Sequence, residues 1–438
     1  MGTQARIKSL PFEELWQKFT GKIPKEDSEF ISDGGDSFSA ILFAESIKSN
    51  NSEILEILLT KKYKDLKELP VKTDINSTHT VKVNKSIKTS KFEPAREKLW
   101  RIKWKQNLGK CIDSSPLILE PVGLDRDTKV IIGSHKGILG CFNGNSSEEL
   151  WKIQLDDRIE ATAISNGKNV FVGTYSGSFY CIQKSNGEII FKNNDSSDIL
   201  KGRALVYKTS VIFGSHDGWI RSISVESGIL KWSTSVNSPI VAPLLTFDSN
   251  NLICVTLRGL CFKINSENGQ IIWTVTLDSP IFSTPICKNG VLIIATVKGY
   301  IYKVLENEND KPITVWKVTI KENIFSPLTY FCEKIICNTQ EGLTMCMDLS
   351  SGEILWKFNS KNPIISGSCV VNNELFVIDK KSIVTKFSSF GEVLYQEDLN
   401  IAETFSTPVV FNNLFYIGSR DDHFYCFQIG GIHKPRGQ

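Results

Sequence analysis

Methionine is nearly absent from this chain: three residues in 438, against 25 Phe and nine Trp. A core short of flexible fillers and rich in aromatic and β-branched residues favours strands. Long apolar runs are missing as well. Val291-Leu292-Ile293-Ile294-Ala295 is typical of the longest, far below the roughly 18 residues of a membrane helix, so no membrane partner is expected. Met1-Gly2-Thr3-Gln4-Ala5-Arg6 leads into no apolar stretch; no secretory leader is expected, and the reading is cytoplasmic, with the nucleus as the alternative. None of the eleven Cys forms a Cys-x-x-Cys pair, so reduced thiols are the expectation. Charge of one sign is also scarce. The net charge is +3, and the stretch Val71–Lys91, with Lys72, Lys82, Lys85, Lys88 and Lys91 against Asp74, carries +4 of it. No basic face is left over for nucleic acid.

Length alone gives a prior of about three domains. The first 70 residues read as helical. Phe12, Leu15, Trp16 and Phe19 share one face at i, i+3, i+4 and i+7. Phe38, Ile41 and Leu42 begin a second stripe over Ser37–Lys48, and Ile54, Leu55, Leu58 and Leu59 form a third. This spacing predicts a small helical bundle over residues 9–70. Residues 71–95, basic and without regular period, read as a flexible linker. As a coil it would reach about 25–30 Å.

From residue 96 the chain repeats. An aromatic anchor follows a polar turn at Trp104, Trp151, Phe191, Trp232, Trp273, Trp316, Trp356 and Tyr395. A hairpin-turn residue keeps the same period at Gly137, Gly177, Gly218, Gly259, Gly299, Gly342, Ser382 and Asp422. A small residue followed by Pro recurs as Ser115-Pro116, Ala242-Pro243, Thr284-Pro285, Ser326-Pro327 and Thr407-Pro408. A period near 41 residues with four short apolar runs is the pattern of a propeller blade. The count gives eight blades over residues 96–431. The last unit lacks its fourth run, and strand 98–104 at the beginning supplies it, closing the ring. The fold class is therefore multidomain, a small all-α bundle followed by an all-β eight-bladed propeller.

Cysteine recurs four residues after the hairpin turn, at Cys141, Cys181, Cys346 and Cys426, which reads as a structural slot. His135 and His216 share the slot two residues before the turn glycine, and both read as surface turn residues. Asp113 reads as a lone turn carboxylate. No metal site is expected.

One short motif stands outside the repeat: Asp33-Gly34-Gly35-Asp36-Ser37-Phe38. Two glycines leave the backbone uncovered for another protein to approach. Asp36 and Ser37 suit a helix N-terminus, where free N–H groups and the helix dipole favour a phosphate. The plain alternative is a Gly-Gly turn with a helix cap.

Residues 9–70 resemble an acyl or peptidyl carrier domain, in which the serine of a Gly-Gly-[Asp/His]-Ser motif takes a 4′-phosphopantetheine arm. Ser37 matches the attachment serine, and Gly34, Gly35 and Asp36 match the residues before it. The blades resemble the pyrroloquinoline-quinone (PQQ) enzyme repeat, most closely at Asp348-Leu349-Ser350-Ser351-Gly352-Glu353-Ile354-Leu355-Trp356. Carrier followed by propeller is similar to the C-terminal part of the β-alanine-activating enzyme family, also described as acyl-CoA synthetase family member 4 or aminoadipate-semialdehyde dehydrogenase-like. The resemblance implies a phosphopantetheinyl transferase that installs the arm. It also implies an adenylating domain that loads an amino acid or acyl group onto it as a thioester. No nucleotide-binding loop is found in these residues, so that activity is expected to come from elsewhere and no catalytic residue is assigned here. The propeller is expected to dock a protein partner or acceptor. A pure interaction scaffold with a vestigial carrier is the alternative. PQQ is not expected, because the axial signatures are small and neutral where quinone enzymes hold calcium with carboxylates and amides.

Overall fold

The computed structural model describes residues 12–20, 22–25, 28–30, 40, 43, 58, 100–121 and 127–430. The chain divides into two units, residues 1–80 and 81–438, and the division falls inside the stretch read as a linker.

In the first unit, Phe12–Thr20 forms helix α1. Leu15 and Trp16 are buried, as their spacing requires. Trp16 meets Phe30 edge-on at 5.2 Å and Phe43 at 6.3 Å, and Phe30 meets Phe43 at 5.6 Å, an arrangement that suits aromatic quadrupoles. Ala40, Phe43 and Leu58 have helical backbone and are buried. Phe43, which the expected stripe omitted, is a main part of this core. Among the described residues α1 is the one full helix, and the rest of the expected bundle lies outside them. No described helix is long and apolar enough to cross a membrane.

In the second unit, eight antiparallel sheets of four strands follow one another along the chain. Blade 1 consists of Leu117–Leu119, Lys129–Gly133, Ile138–Asn143 and Glu149–Gln154, in that spatial order. Blades 2 to 7 begin at Ile164, Leu205, Leu245, Ile286, Thr329 and Cys369. Blade 8 takes three strands from Val409–Ile429, and its outer strand is Trp100–Asn107 from the other end of the unit. The closing strand runs three residues beyond the expected 104.

The repeat is visible in the register. In every blade the third-strand slot faces the aromatic anchor across a bulge: Cys141 faces Trp151, Cys181 faces Phe191, Cys346 faces Trp356 and Cys426 faces Trp104. The four thiols in this slot are fully buried, and all eleven cysteines are free. Burial pushes Cys181 up to about 11 and Cys346 and Cys426 up to about 12, so these sulfurs are packing groups rather than nucleophiles. Where Lys263 takes the slot, it reaches Glu306 of the next blade at 2.6 Å.

The anchors staple neighbouring blades. The indole N–H of Trp151 donates to the Lys184 carbonyl at 2.9 Å, and that of Trp316 to Ser350 at 3.0 Å. The rings lie on the outer-turn glycines of the following blade, such as Gly187 and Gly352.

The inner hairpin turns need a left-handed residue, supplied by glycine in six blades and by Ser382 (φ 65°) and Asp422 (φ 70°) in the last two. Gly299 is the most confined, since a Cβ there would lie 1.8 Å from the Ile320 carbonyl oxygen. Gly290 has the same backbone sign and open space around it. Gly299→Ala is expected to cost roughly 1–3 kcal/mol beyond the cost of Gly290→Ala, read as a difference in urea midpoints.

Candidate functional site

Two kinds of segment converge on one face of the propeller. One is the inner hairpin turn between second and third strands. The other is the connection that brings the chain from one blade's outer strand to the next blade's first strand. Backbone bonds join them: His135 N–H donates to the Cys111 carbonyl, His216 N–H to Ile199, and Arg420 N–H to Glu403. The first strands lie at the axis. Gly367 N–H donates to Thr407 Oγ1 at 2.9 Å, Thr407 N–H to Ser115 Oγ at 3.0 Å, and Ser115 N–H to Thr162 Oγ1 at 3.3 Å. These residues occupy one repeat position, two before the first strand, and their bonds run through blades 7, 8, 1 and 2.

The position four residues before each first strand belongs to the connections of this face, and its side chains are buried at Glu160, Val241, Phe325 and Ile365 and half-buried at the other four. In blades 1, 2 and 3 it holds Asp113, Glu160 and Lys201; in blades 4 to 8 it holds Val241, Phe282, Phe325, Ile365 and Phe405. The axial mouth of this face is therefore charged on one side and apolar on the other.

The charged side is a chain of ion pairs. Arg420 holds Asp113 with two bonds, Nε to Oδ1 at 3.1 Å and Nη2 to Oδ2 at 2.6 Å, the fork geometry that suits a carboxylate. His135 Nε2 lies 3.3 Å from both Asp113 Oδ2 and Glu160 Oε1. Lys201 Nζ meets Glu160 Oε2 at 2.9 Å, and Arg158 Nη1 stands 4.0 Å from Oε1. Arg158 also covers the Tyr175 ring at 3.8 Å. Burial by itself would raise the Asp113 carboxyl; His135 and Arg420 outweigh it and hold the group at about 2 instead of 3.8. Burial likewise opposes ionisation of Glu160, and Lys201 and His135 hold it below the usual carboxylate range. His216 is fully buried, and burial, aided by Lys201, pushes it down to about 3.

Three expectations change here. Asp113 is a member of a buried charge network, not a lone turn carboxylate. His216 is a buried turn residue, not a surface one, and His135 is half-buried: their N–H groups bind the adjoining connection, which folds the turn in toward the axis. The sequence signal for Asp113, Glu160 and Lys201 was the column four residues before each first strand, where charge in three blades replaces the apolar residues of the other five.

Asp113, His135 and Glu160 place one possible ligand atom each within 4.8 Å of one another. They do not fit a divalent cation. Both carboxylates are already engaged by Arg420 and Lys201, and Arg158 adds a third positive group, so a metal would enter a region with no negative charge to spare. The calcium chemistry of quinone enzymes therefore has no matching donor set at this mouth.

Gly34, Gly35, Asp36 and Ser37, the residues expected to carry the arm, lie outside the described residues. A family model for the β-propeller of the β-alanine-activating enzyme matches residues 108–429. The chain belongs to this family. The human β-alanine-activating enzyme is 34% identical over 84 residues, which are 19% of this chain and 8% of that protein. The chain thus matches only a small part of its curated relative's length. BamB from Moraxella catarrhalis, an outer membrane protein assembly factor by the description of its Yersinia pestis counterpart, has a TM-score of 0.64 at 19% identity. That likeness covers 77% of this chain and 100% of BamB. A quinohemoprotein alcohol dehydrogenase from Comamonas testosteroni follows at a TM-score of 0.60 and 11% identity, covering 78% of each chain. At such identities the likeness is one of fold, and function rests on sites. Within the β-alanine-activating family's propeller, the asymmetric axial mouth is the most developed site among the described residues.

Proposed function

We propose that this chain is the carrier and docking part of a β-alanine-activating-type system. Ser37 takes the arm: its Oγ forms the new P–O bond to phosphopantetheine, the pyrophosphate bond of coenzyme A breaks, and adenosine 3′,5′-bisphosphate leaves. A phosphopantetheinyl transferase supplies this step. The arm's thiol then carries an amino acid or acyl group as a thioester, loaded by an adenylating domain or enzyme. The propeller docks the partner or acceptor. The observation that carries this reading is the order of features, with Gly34-Gly35-Asp36-Ser37 between the helix at Phe12–Thr20 and the helical residues Ala40 and Phe43, followed by a propeller of this family. The free cysteines support a reducing compartment, the cytoplasm or nucleus.

Intact-protein mass spectrometry after coexpression with a phosphopantetheinyl transferase tests it. Wild type should gain the mass of one arm, and Ser37→Ala should gain none. A wild type without the added mass, or a variant that gains it equally, would sink the carrier role and leave the interaction scaffold as the better reading.

A further inference from the structure

Asparagine followed by glycine occurs five times in the chain, at Asn143-Gly144, Asn166-Gly167, Asn186-Gly187, Asn268-Gly269 and Asn289-Gly290. Such a step is chemically labile, because glycine has no side chain to shield its nitrogen from the asparagine amide. In four of the five, hydrogen bonds hold both reacting groups. Gly144 N–H donates to the Thr128 carbonyl at 2.8 Å, Gly167 N–H to Ser165 Oγ at 3.0 Å, and Gly187 N–H and Gly269 N–H to the Gln183 and Asn265 carbonyls at 2.9 Å. The Oδ1 atoms of Asn143, Asn166, Asn186 and Asn268 each accept a backbone N–H from two or three residues further on.

Asn289-Gly290 is different. It is the two-residue turn between Ile286–Lys288 and Val291–Ala295, the first two strands of blade 5. Both residues have positive φ, 51° and 74°. Asn289 is exposed, and a Cβ on Gly290 would meet nothing within 4 Å. Among the described residues, neither the Asn289 side chain nor the Gly290 N–H has a hydrogen-bond partner. Blades 7 and 8 make the same turn with Asn372-Asn373 and Asn412-Asn413, where a side chain on the second residue shields its nitrogen. Of the five Asn-Gly steps, this one alone leaves both the nitrogen and the amide it can reach untied.

We propose that Asn289 is a site of spontaneous deamidation, through which this hairpin acquires an isoaspartyl link. The Gly290 nitrogen loses its proton to solvent base and attacks Asn289 Cγ. A new N–Cγ bond forms, the Cγ–Nδ2 bond breaks, and the amide nitrogen takes up a proton and leaves as ammonia. Water then opens the cyclic imide at either carbonyl, giving an aspartyl or an isoaspartyl residue. The isoaspartyl product routes the backbone through the former side chain and adds one atom to a tight turn. It also presents a free α-carboxylate, the group that an S-adenosylmethionine-dependent carboxyl methyltransferase would esterify. The proposal concerns the propeller alone and holds whether or not Ser37 bears an arm.

Incubation of the full chain at mildly alkaline pH, followed by peptide mapping with mass spectrometry, tests it. Asn289 should convert about tenfold or more faster than the four tied steps, the gap expected when hydrogen bonds hold the reacting groups. The aged chain should accept methyl groups from S-adenosylmethionine when a protein-isoaspartate methyltransferase is added. In concentrated urea the five steps should converge in rate, because the protecting bonds are gone. Asn289→Gln should remove the early product, since its imide needs a larger ring. Gly290→Ala should slow it by about tenfold, by placing a side chain beside the nitrogen. Conversion of a tied step as early as Asn289, the same ranking in urea, or an aged chain that accepts no methyl group would each overturn the proposal.

Discussion

Trp104→Ala is expected to cost the propeller about 3–5 kcal/mol, the range for deleting a large buried aromatic side chain. Trp104 sits on the one strand that does not follow its blade in the chain. It faces Cys426 in the outer pair of blade 8. Its indole packs edge-on against Phe424 at 5.4 Å and beside Tyr416 at 6.0 Å. Its N–H donates to the Gly144 carbonyl of blade 1 at 2.9 Å. One side chain therefore ties the ends of the ring together, on a strand whose pairing closes a loop of several hundred residues. That long loop carries an entropic cost which only the closure contacts offset. Urea denaturation should report the loss, and hydrogen exchange should place it first in the amides of His423–Ile429. Trp104→Phe keeps most of the ring and loses one hydrogen bond, so about 1 kcal/mol is expected. Trp316→Ala removes an anchor that is only half-buried and should cost less than Trp104→Ala. Equal losses at the two sites would mean that closure is no more critical than any other staple.

Glu160→Gln is expected to cost about 2–4 kcal/mol at neutral pH, because it takes away the negative group that faces Lys201, Arg158 and His135. The lower end reflects the partial solvent contact that Lys201 and Arg158 keep. Acid should act on the same network. The folded state holds Asp113 and Glu160 below their ordinary values. Their contribution is therefore present above about pH 4 and lost as the pH falls toward 2. For Asp113 alone, the drop from 3.8 to about 2 corresponds to about 2 kcal/mol. Urea midpoints measured from pH 5 downward should fall more steeply for wild type than for Glu160→Gln. Parallel curves would show that Glu160 contributes no acid-sensitive stability.

The eight blades and the closing strand were legible in the sequence. Each blade is built from local rules. A turn that demands positive φ selects Gly137 and its equivalents, a docking ring selects Trp151 and its equivalents, and both recur wherever the same backbone recurs. Periodicity converts such requirements into a pattern that needs no neighbour to be known. Leu15 and Trp16 of the first unit were legible for the same reason, through helical spacing.

The axial mouth was not legible in that way. Asp113, Glu160, Lys201 and Arg420 lie up to 307 residues apart in the chain, and nothing local relates them. Asp113 alone looks like an ordinary turn residue; beside Arg420 and His135 it is a buried anion. The sequence by itself determined the repeat, because repetition follows from backbone geometry within each unit. Only the tertiary structure decided which unlike residues meet at the axis, because ring closure brings the same position of eight blades to one centre and lets their charges act on one another across it.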